Sequence, residues 1–245
     1  MYKESFTLHI AFEHFMSTRL AIDEQHELKE INIPDIPPQP KGLRIAAKII
    51  SYIFHPVFIP VYVVWFLINI QPYLFAGFSE WRKTTTMIQF LVMYAFFPLV
   101  TTLLLKGLGF IDSIYLKTQR DRVIPYVACM IYYFWVWYVL FRQPDYSSAI
   151  VQFSLAIFIA SIGGLMANIY MKVSMHAIAV GVMTAFMITL AFLEKKDFGI
   201  YISIALLITG LVCTARLIAS DHSQKEIYWG LVIGIASQIV ANWFN

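Results

Sequence analysis

Charge is scarce in this chain of 245 residues: aspartate, glutamate, lysine and arginine make up 13% of it, against about 25% in an ordinary soluble domain. That shortage excludes a conventional water-soluble protein, and 59% hydrophobic with 16% aromatic residues places the chain in a membrane. Neither sign of charge prevails. The balance of 18 basic to 15 acidic residues, a formal +3, leaves no electrostatic footprint for nucleic acid, so no such partner is expected. Cysteine is nearly absent. Cys129 and Cys213 both sit in apolar runs and read as small buried hydrophobes rather than a metal pair or a disulfide framework. The amino terminus, MYKESFTLHIAFEHF, carries charges and lacks an uninterrupted apolar core, so no secretory signal is expected there.

What charge there is falls unevenly. Residues 1–44 hold seven of the fifteen acidic groups and end in INIPDIPPQPKG, whose four prolines oppose a continuous helix. They are expected to form a polar cytosolic or interfacial arm with a stiff linker, ahead of a transmembrane domain over 45–245. In that domain acids and bases are missing from seven stretches: 49–79, 84–105, 123–141, 146–171, 173–193, 198–215 and 227–245. Each is long enough, or nearly so, to cross a hydrocarbon layer of roughly 30 Å as a helix. Backbone groups in lipid must pair internally, and these runs do not alternate as barrel strands do, so the predicted fold is an all-α polytopic transmembrane bundle of six or seven helices. The first stretch carries His55, Pro56 and Pro60, which predict a kink or a start after the prolines. His55 beside a proline reads most simply as satisfying a freed backbone carbonyl. The aromatic run at 132–141 is expected to face lipid or the interface, and SIGGLMA at 161–167 supplies small residues for close helix packing.

Three polar clusters interrupt the apolar stretches: YLKTQRDRVIPY at 115–126, NIYMKVSMHAIAVG at 168–181 and ARLIASDHSQKEIYWG at 215–230. Two crossings separate each from the next. All three therefore return to one membrane face, whichever way the protein points. That face gathers Lys117, Arg120, Arg122, Lys172, His176, Arg216 and His222, with Glu226 as the principal acid. Charges at such depth usually face the protein interior, pair, or mark a site. Fixed cations beside histidines suit a phosphate, whose transfer is catalysed mainly by positioning and charge stabilisation. Ser174 and Ser223 are candidate N-caps, and a helix N-terminus is itself an anion site. In this arrangement His222 can attack phosphorus, Glu226 one helical turn later can hold its second ring nitrogen, and His176 can protonate the leaving oxygen. Arg216 and His222 would lie on different faces of an unbroken helix, so the chain must break between them, as the turn residues at 220–223 allow.

At these residues the sequence resembles the type 2 phosphatidic acid phosphatase (PAP2) superfamily, which also includes vanadium-dependent haloperoxidases. The family pattern is Lys and Arg ahead of a Pro, then PSGH, then SR, five residues, His, three residues, Asp. ARLIASDHSQKE keeps the Arg-to-His spacing with Arg216 and His222, and Glu226 stands at the acidic position; KVSMH supplies Ser174 and His176; LKTQRDRVIP supplies Lys117 and Pro125. The chain departs from the pattern at Ala215 for Ser, Glu226 for Asp, VSMH for PSGH and Ile124 before Pro125, where Arg120 or Arg122 must substitute for the missing Arg. The resemblance covers 117–230. It implies a PAP2-like core, His222 as nucleophile, Arg216 and Lys117 as phosphate ligands, His176 as general acid, and a phosphohistidine route that uses no metal or other cofactor.

Each residue also has a structural role to weigh. Ser223 to Glu226 fits a capping box. Lys117, Arg120 and Arg122 fit topology determinants, Lys172 fits a side chain snorkelling to the interface, and His176 fits a satisfied core histidine. Outside the candidate site, basic residues on the two faces number six against five, which leaves the orientation open. Taken together, the pattern predicts an integral, multi-pass membrane phosphatase, in a bacterial inner (plasma) membrane, acting on a phosphorylated lipid or isoprenoid. A catalytically lapsed lipid-binding or transport protein is the alternative. Halide oxidation on the same residues is disfavoured by so membrane-embedded a chain.

Overall fold

The computed structural model describes residues 18–22, 28–32, 39–116, 118–194, 197–219 and 222–244. In the arm, β1 (Thr18–Ile22) pairs antiparallel with β2 (Leu28–Asn32), with Thr18 opposite Asn32 and Ile22 opposite Leu28. The expected all-α fold holds for the bundle, and the arm adds this short hairpin. Each run is five residues, too short for a stable helix. The bundle that follows is entirely helical.

Proline decides how the bundle begins. Helix α1 (Lys41–Ile53) stops before Pro56, and α2 (Ile59–Ile70) starts beyond it with Pro60 in its first turn, where a missing N–H costs nothing. The long first stretch is thereby cut into two short helices, as its prolines predict. A 3₁₀ turn at Pro72–Phe75 leads to α3 (Glu80–Gly107), capped by Ser79, whose side chain accepts from the Arg82 N–H at 3.2 Å. A π turn widens α3 at Val92–Phe96, just ahead of Pro98. A proline ring clashes with the carbonyl four residues back, and a widened turn relieves that clash. Then come α4 (Gln119–Phe141), α5 (Ser148–Tyr170), α6 (Met175–Glu194), α7 (Gly199–Ile218) and α8 (Gln224–Ala241).

Among the described residues, five helices are long and apolar enough to cross a membrane: α3, α4, α5, α6 as far as Leu193, and α7. The chain is thus multi-pass in character, but the expected six or seven such helices are not met. Helix α2 has only 12 residues, and the 18-residue α8 gives its first turn to Gln224, Lys225 and Glu226.

Small residues set the packing at the centre. A Cβ on Gly230 of α8 would lie 2.8 Å from the Ser174 carbonyl and 2.9 Å from the Ala177 Cβ, and one on Gly181 of α6 would lie 2.9 Å from the Leu231 carbonyl. Helices α6 and α8 therefore touch backbone to backbone. In the predicted small-residue stretch, a Cβ on Gly164 would lie 2.9 Å from the Tyr126 ring and one on Gly163 2.9 Å from the Ile233 side chain, so these glycines let α5 pack closely on α4 and α8. The aromatic run is divided: Phe134, Trp135, Tyr138 and Phe141 are exposed, while Tyr133 and Leu140 are buried. Cys129 and Cys213 are free and partly buried.

Candidate functional site

Helices α4, α6 and α8 begin at the same end of the bundle, and each begins with a capping hydroxyl. Thr118 accepts from the Asp121 N–H at 3.1 Å, Ser174 from the Ala177 N–H at 3.4 Å and Ser223 from the Glu226 N–H at 3.3 Å. Three positive helix ends are thus brought to one region, which favours an anion there. Helices α5 and α7 end beside them. The predicted break between Arg216 and His222 is present, because α7 ends at Ile218 and α8 starts at Gln224.

The parts are tied across the chain. Arg122 is buried; its Nη1 donates to the Val173 carbonyl at 2.7 Å and its Nε to the Leu116 carbonyl at 2.9 Å. The Ser174 N–H donates to the Glu226 carbonyl at 3.2 Å, fastening the start of α6 to the first turn of α8. Gln119 and Asn168 exchange two amide–carbonyl bonds of 2.9 Å between α4 and α5.

His222 and Glu226 form the centre. His222 Nδ1 is 2.8 Å from Glu226 Oε2 and 3.1 Å from the Lys172 carbonyl, so this nitrogen donates. The same Glu226 oxygen accepts from the Ser223 N–H at 3.1 Å, completing a capping box. Glu226 therefore fulfils the structural role and the orienting role together. The two side chains are only 2% and 0% exposed. Burial first, and then the nearby charges of Arg122, Arg216 and Lys172, hold the His222 imidazole well below its usual range. A neutral ring with its proton on Nδ1 leaves Nε2 with the lone pair.

His176, in the first turn of α6, donates from Nε2 to the Ser51 carbonyl at 3.1 Å. Ser51 belongs to the last turn of α1, where carbonyls lack partners within the helix. His55, from the break between α1 and α2, lies edge to face with His176 at 5.4 Å between ring centres. Its own Nδ1 is buried without a hydrogen-bond partner, contrary to the expectation that it serves a backbone carbonyl. His176 serves one instead. Burial and the charge of Arg216 lower the His55 pKa to about 4.

The structure thus brings together Arg122, Lys172, Ser174, His176, Arg216, His222 and Glu226. Arg120 points elsewhere: it is exposed in the first turn of α4, and Arg122 is the arginine that turns inward. Lys172 is 6% exposed rather than snorkelling, and Lys117 lies outside the described residues. Sequence reading missed Asp121, a second buried acid whose Oδ1 accepts from the Asp112 N–H at 3.0 Å. The T-x-x-D pattern at 118–121 was its available signal. His55 reads in the sequence as serving a backbone carbonyl, and its contact with His176, 121 positions away, has no signal there. Among the described residues, no set of three or more histidine, cysteine or carboxylate side chains is grouped to hold a metal ion.

No protein-family model, no curated protein and no solved structure matches this chain.

Proposed function

We propose that the protein is an integral membrane phosphatase of the PAP2 type, in the inner (plasma) membrane of a bacterium, acting on a phosphorylated lipid or isoprenoid. The buried His222–Glu226 pair, set among three helix N-termini and the cations Arg122, Lys172 and Arg216, is the observation that carries this reading. Several fixed cations and three helix dipoles against the carboxylates of Glu226 and Asp121 favour a multiply charged anion.

The reaction follows from the proton positions. Glu226 holds the Nδ1 proton, and His222 Nε2 attacks phosphorus; a P–N bond forms as the bond to the leaving oxygen breaks. Cations and helix N-termini stabilise the charge on the transferring phosphoryl oxygens. With its Nε2–H kept on the Ser51 carbonyl, His176 enters the cycle protonated on Nδ1 as well; it gives that Nδ1 proton to the departing oxygen, then takes one back from the water that cleaves the P–N bond, releasing phosphate and restoring both His222 and the His176 imidazolium.

The test is phosphate release by purified protein from a panel of lipid and isoprenoid phosphates, with chelator present and with His222→Ala alongside. Release that resists chelation and vanishes in the variant supports this route. The near-complete burial of His222 and Glu226 favours a second reading, in which the cluster clasps the bundle and the protein binds phospholipid without turnover. Binding with no release from any substrate of the panel would decide for it.

A further inference from the structure

The outer surface of the bundle contains a groove beside this cluster. It lies between α1 and α7, has a volume of about 470 Å³, and is walled by residues that include Leu43, Ala47 and Ile50 on one side and Gly210, Leu211 and Ala215 on the other. Its lining is almost wholly apolar. Helix α7 is also the least covered of the five long helices, so the groove lies on the outside of the bundle rather than in its core.

Two connections join the groove to the polar cluster. Ala215 directly precedes Arg216 on α7, and α1 presents its Ser51 carbonyl to His176 at 3.1 Å. The two helices that wall the groove are the same two that reach the charged end.

Gly210 lines the groove. The glycines inside α5, α6 and α8 all sit where a Cβ would meet a neighbour within 3 Å, as expected of close helix contacts. At Gly210 a Cβ would meet nothing within 4 Å. No helix contact requires a glycine there. An apolar slot that ends beside fixed cations is complementary to one kind of molecule, an amphiphile with an anionic head and a hydrocarbon tail.

We propose that the α1–α7 groove holds the hydrocarbon chain of the substrate while its phosphate lies at the Arg216–His222 cluster. This deepens the phosphatase reading and rests on it for the position of the head. Gly210 is then a specificity-determining residue, because a larger side chain takes the space of the tail and leaves the phosphate position intact.

The experiment compares hexadecyl phosphate with butyl phosphate, using wild type and Gly210→Leu in the same detergent. A photoreactive diazirine analogue of the long-chain phosphate is crosslinked to wild type in parallel, with the labelled peptides mapped. The expected result is a fall of about tenfold or more in kcat/KM for the long chain, which is the loss of about two or more buried methylenes. Butyl phosphate should stay within about twofold, with crosslinks in residues 43–50 and 206–218. Equal kcat/KM changes for both substrates, or crosslinks confined to other helices, would overturn the groove as the tail site. Should Gly210→Leu fail to fold, the crosslink map decides. Wild type that releases phosphate from neither substrate yet crosslinks at α1 and α7 would sink the phosphatase reading and leave the tail site standing.

Discussion

At the scale of single residues, the properties of the site turn on which nitrogen of His222 is held. Glu226 Oε2 binds Nδ1 at 2.8 Å while also accepting from the Ser223 N–H, so a change of charge there can be separated from a change of shape. Gln at position 226 keeps a side chain that suits the capping box but removes the carboxylate. Glu226→Gln is expected to lower phosphate release by about 10²- to 10⁴-fold, with circular dichroism in detergent unchanged. Full activity in this variant would remove Glu226 from the reaction.

His55 gives a pH-dependent prediction. In the fold its pKa is about 4, against an ordinary 6.5. Below pH 6.5 the unfolded chain takes up a proton on this residue that the folded chain refuses, so stability declines as pH falls from 6.5 toward 4. At about 1.4 kcal/mol per pKa unit, the His55 share of that loss reaches about 3 kcal/mol by pH 4. His222, also held low, adds in the same direction. Melting in detergent at pH 7.5, 6 and 5 should show a falling Tm, and His55→Gln should flatten the slope; an unchanged slope would refute the assignment.

At the scale of elements, α6 and α8 hold the site through their closeness. Gly230 touches the Ser174 carbonyl, and the Ser174 N–H reaches the Glu226 carbonyl one turn away. Gly230→Ala places a methyl 2.8 Å from a backbone oxygen that cannot rotate away. The helices must separate, at a cost of about 1 to 3 kcal/mol. The expected signature is a lower Tm together with weaker phosphate binding. Gly210→Ala, where the added Cβ meets nothing within 4 Å, should leave Tm within a degree or two.

For the whole molecule, the alternation of helices predicts which loops share a face. Arg120 and Lys225 are exposed at the end that carries the cluster, and Arg142 is exposed at the other, where Arg82 pairs with Asp145 at 2.9 Å. Arg120→Cys and Lys225→Cys should therefore react with a membrane-impermeant maleimide from one side of sealed vesicles, and Arg142→Cys from the opposite side. Labelling of Arg120→Cys and Lys225→Cys from different sides would break the common face on which the site depends. Much of this was legible in the sequence. The exclusion of charge from long stretches marks the helices, parity brings their polar ends to one face, and Ser174, Ser223 and the break after Arg216 follow from local capping and turn chemistry. These are interactions within a few residues or counts along the chain, which a linear pattern records.

Other features exist only in three dimensions. Arg122 rather than Arg120 turns inward because the Val173 carbonyl waits 51 positions away. Lys172 is buried because its neighbours close over it. His55 meets His176 across the gap between two helices, and the α1–α7 groove takes its walls from two segments far apart in the chain. Composition and spacing determined that this is a multi-pass helical membrane protein with its polar chemistry on one face. The tertiary structure alone decided which side chains meet there, since that depends on side-chain direction and on contacts between segments far apart in the chain.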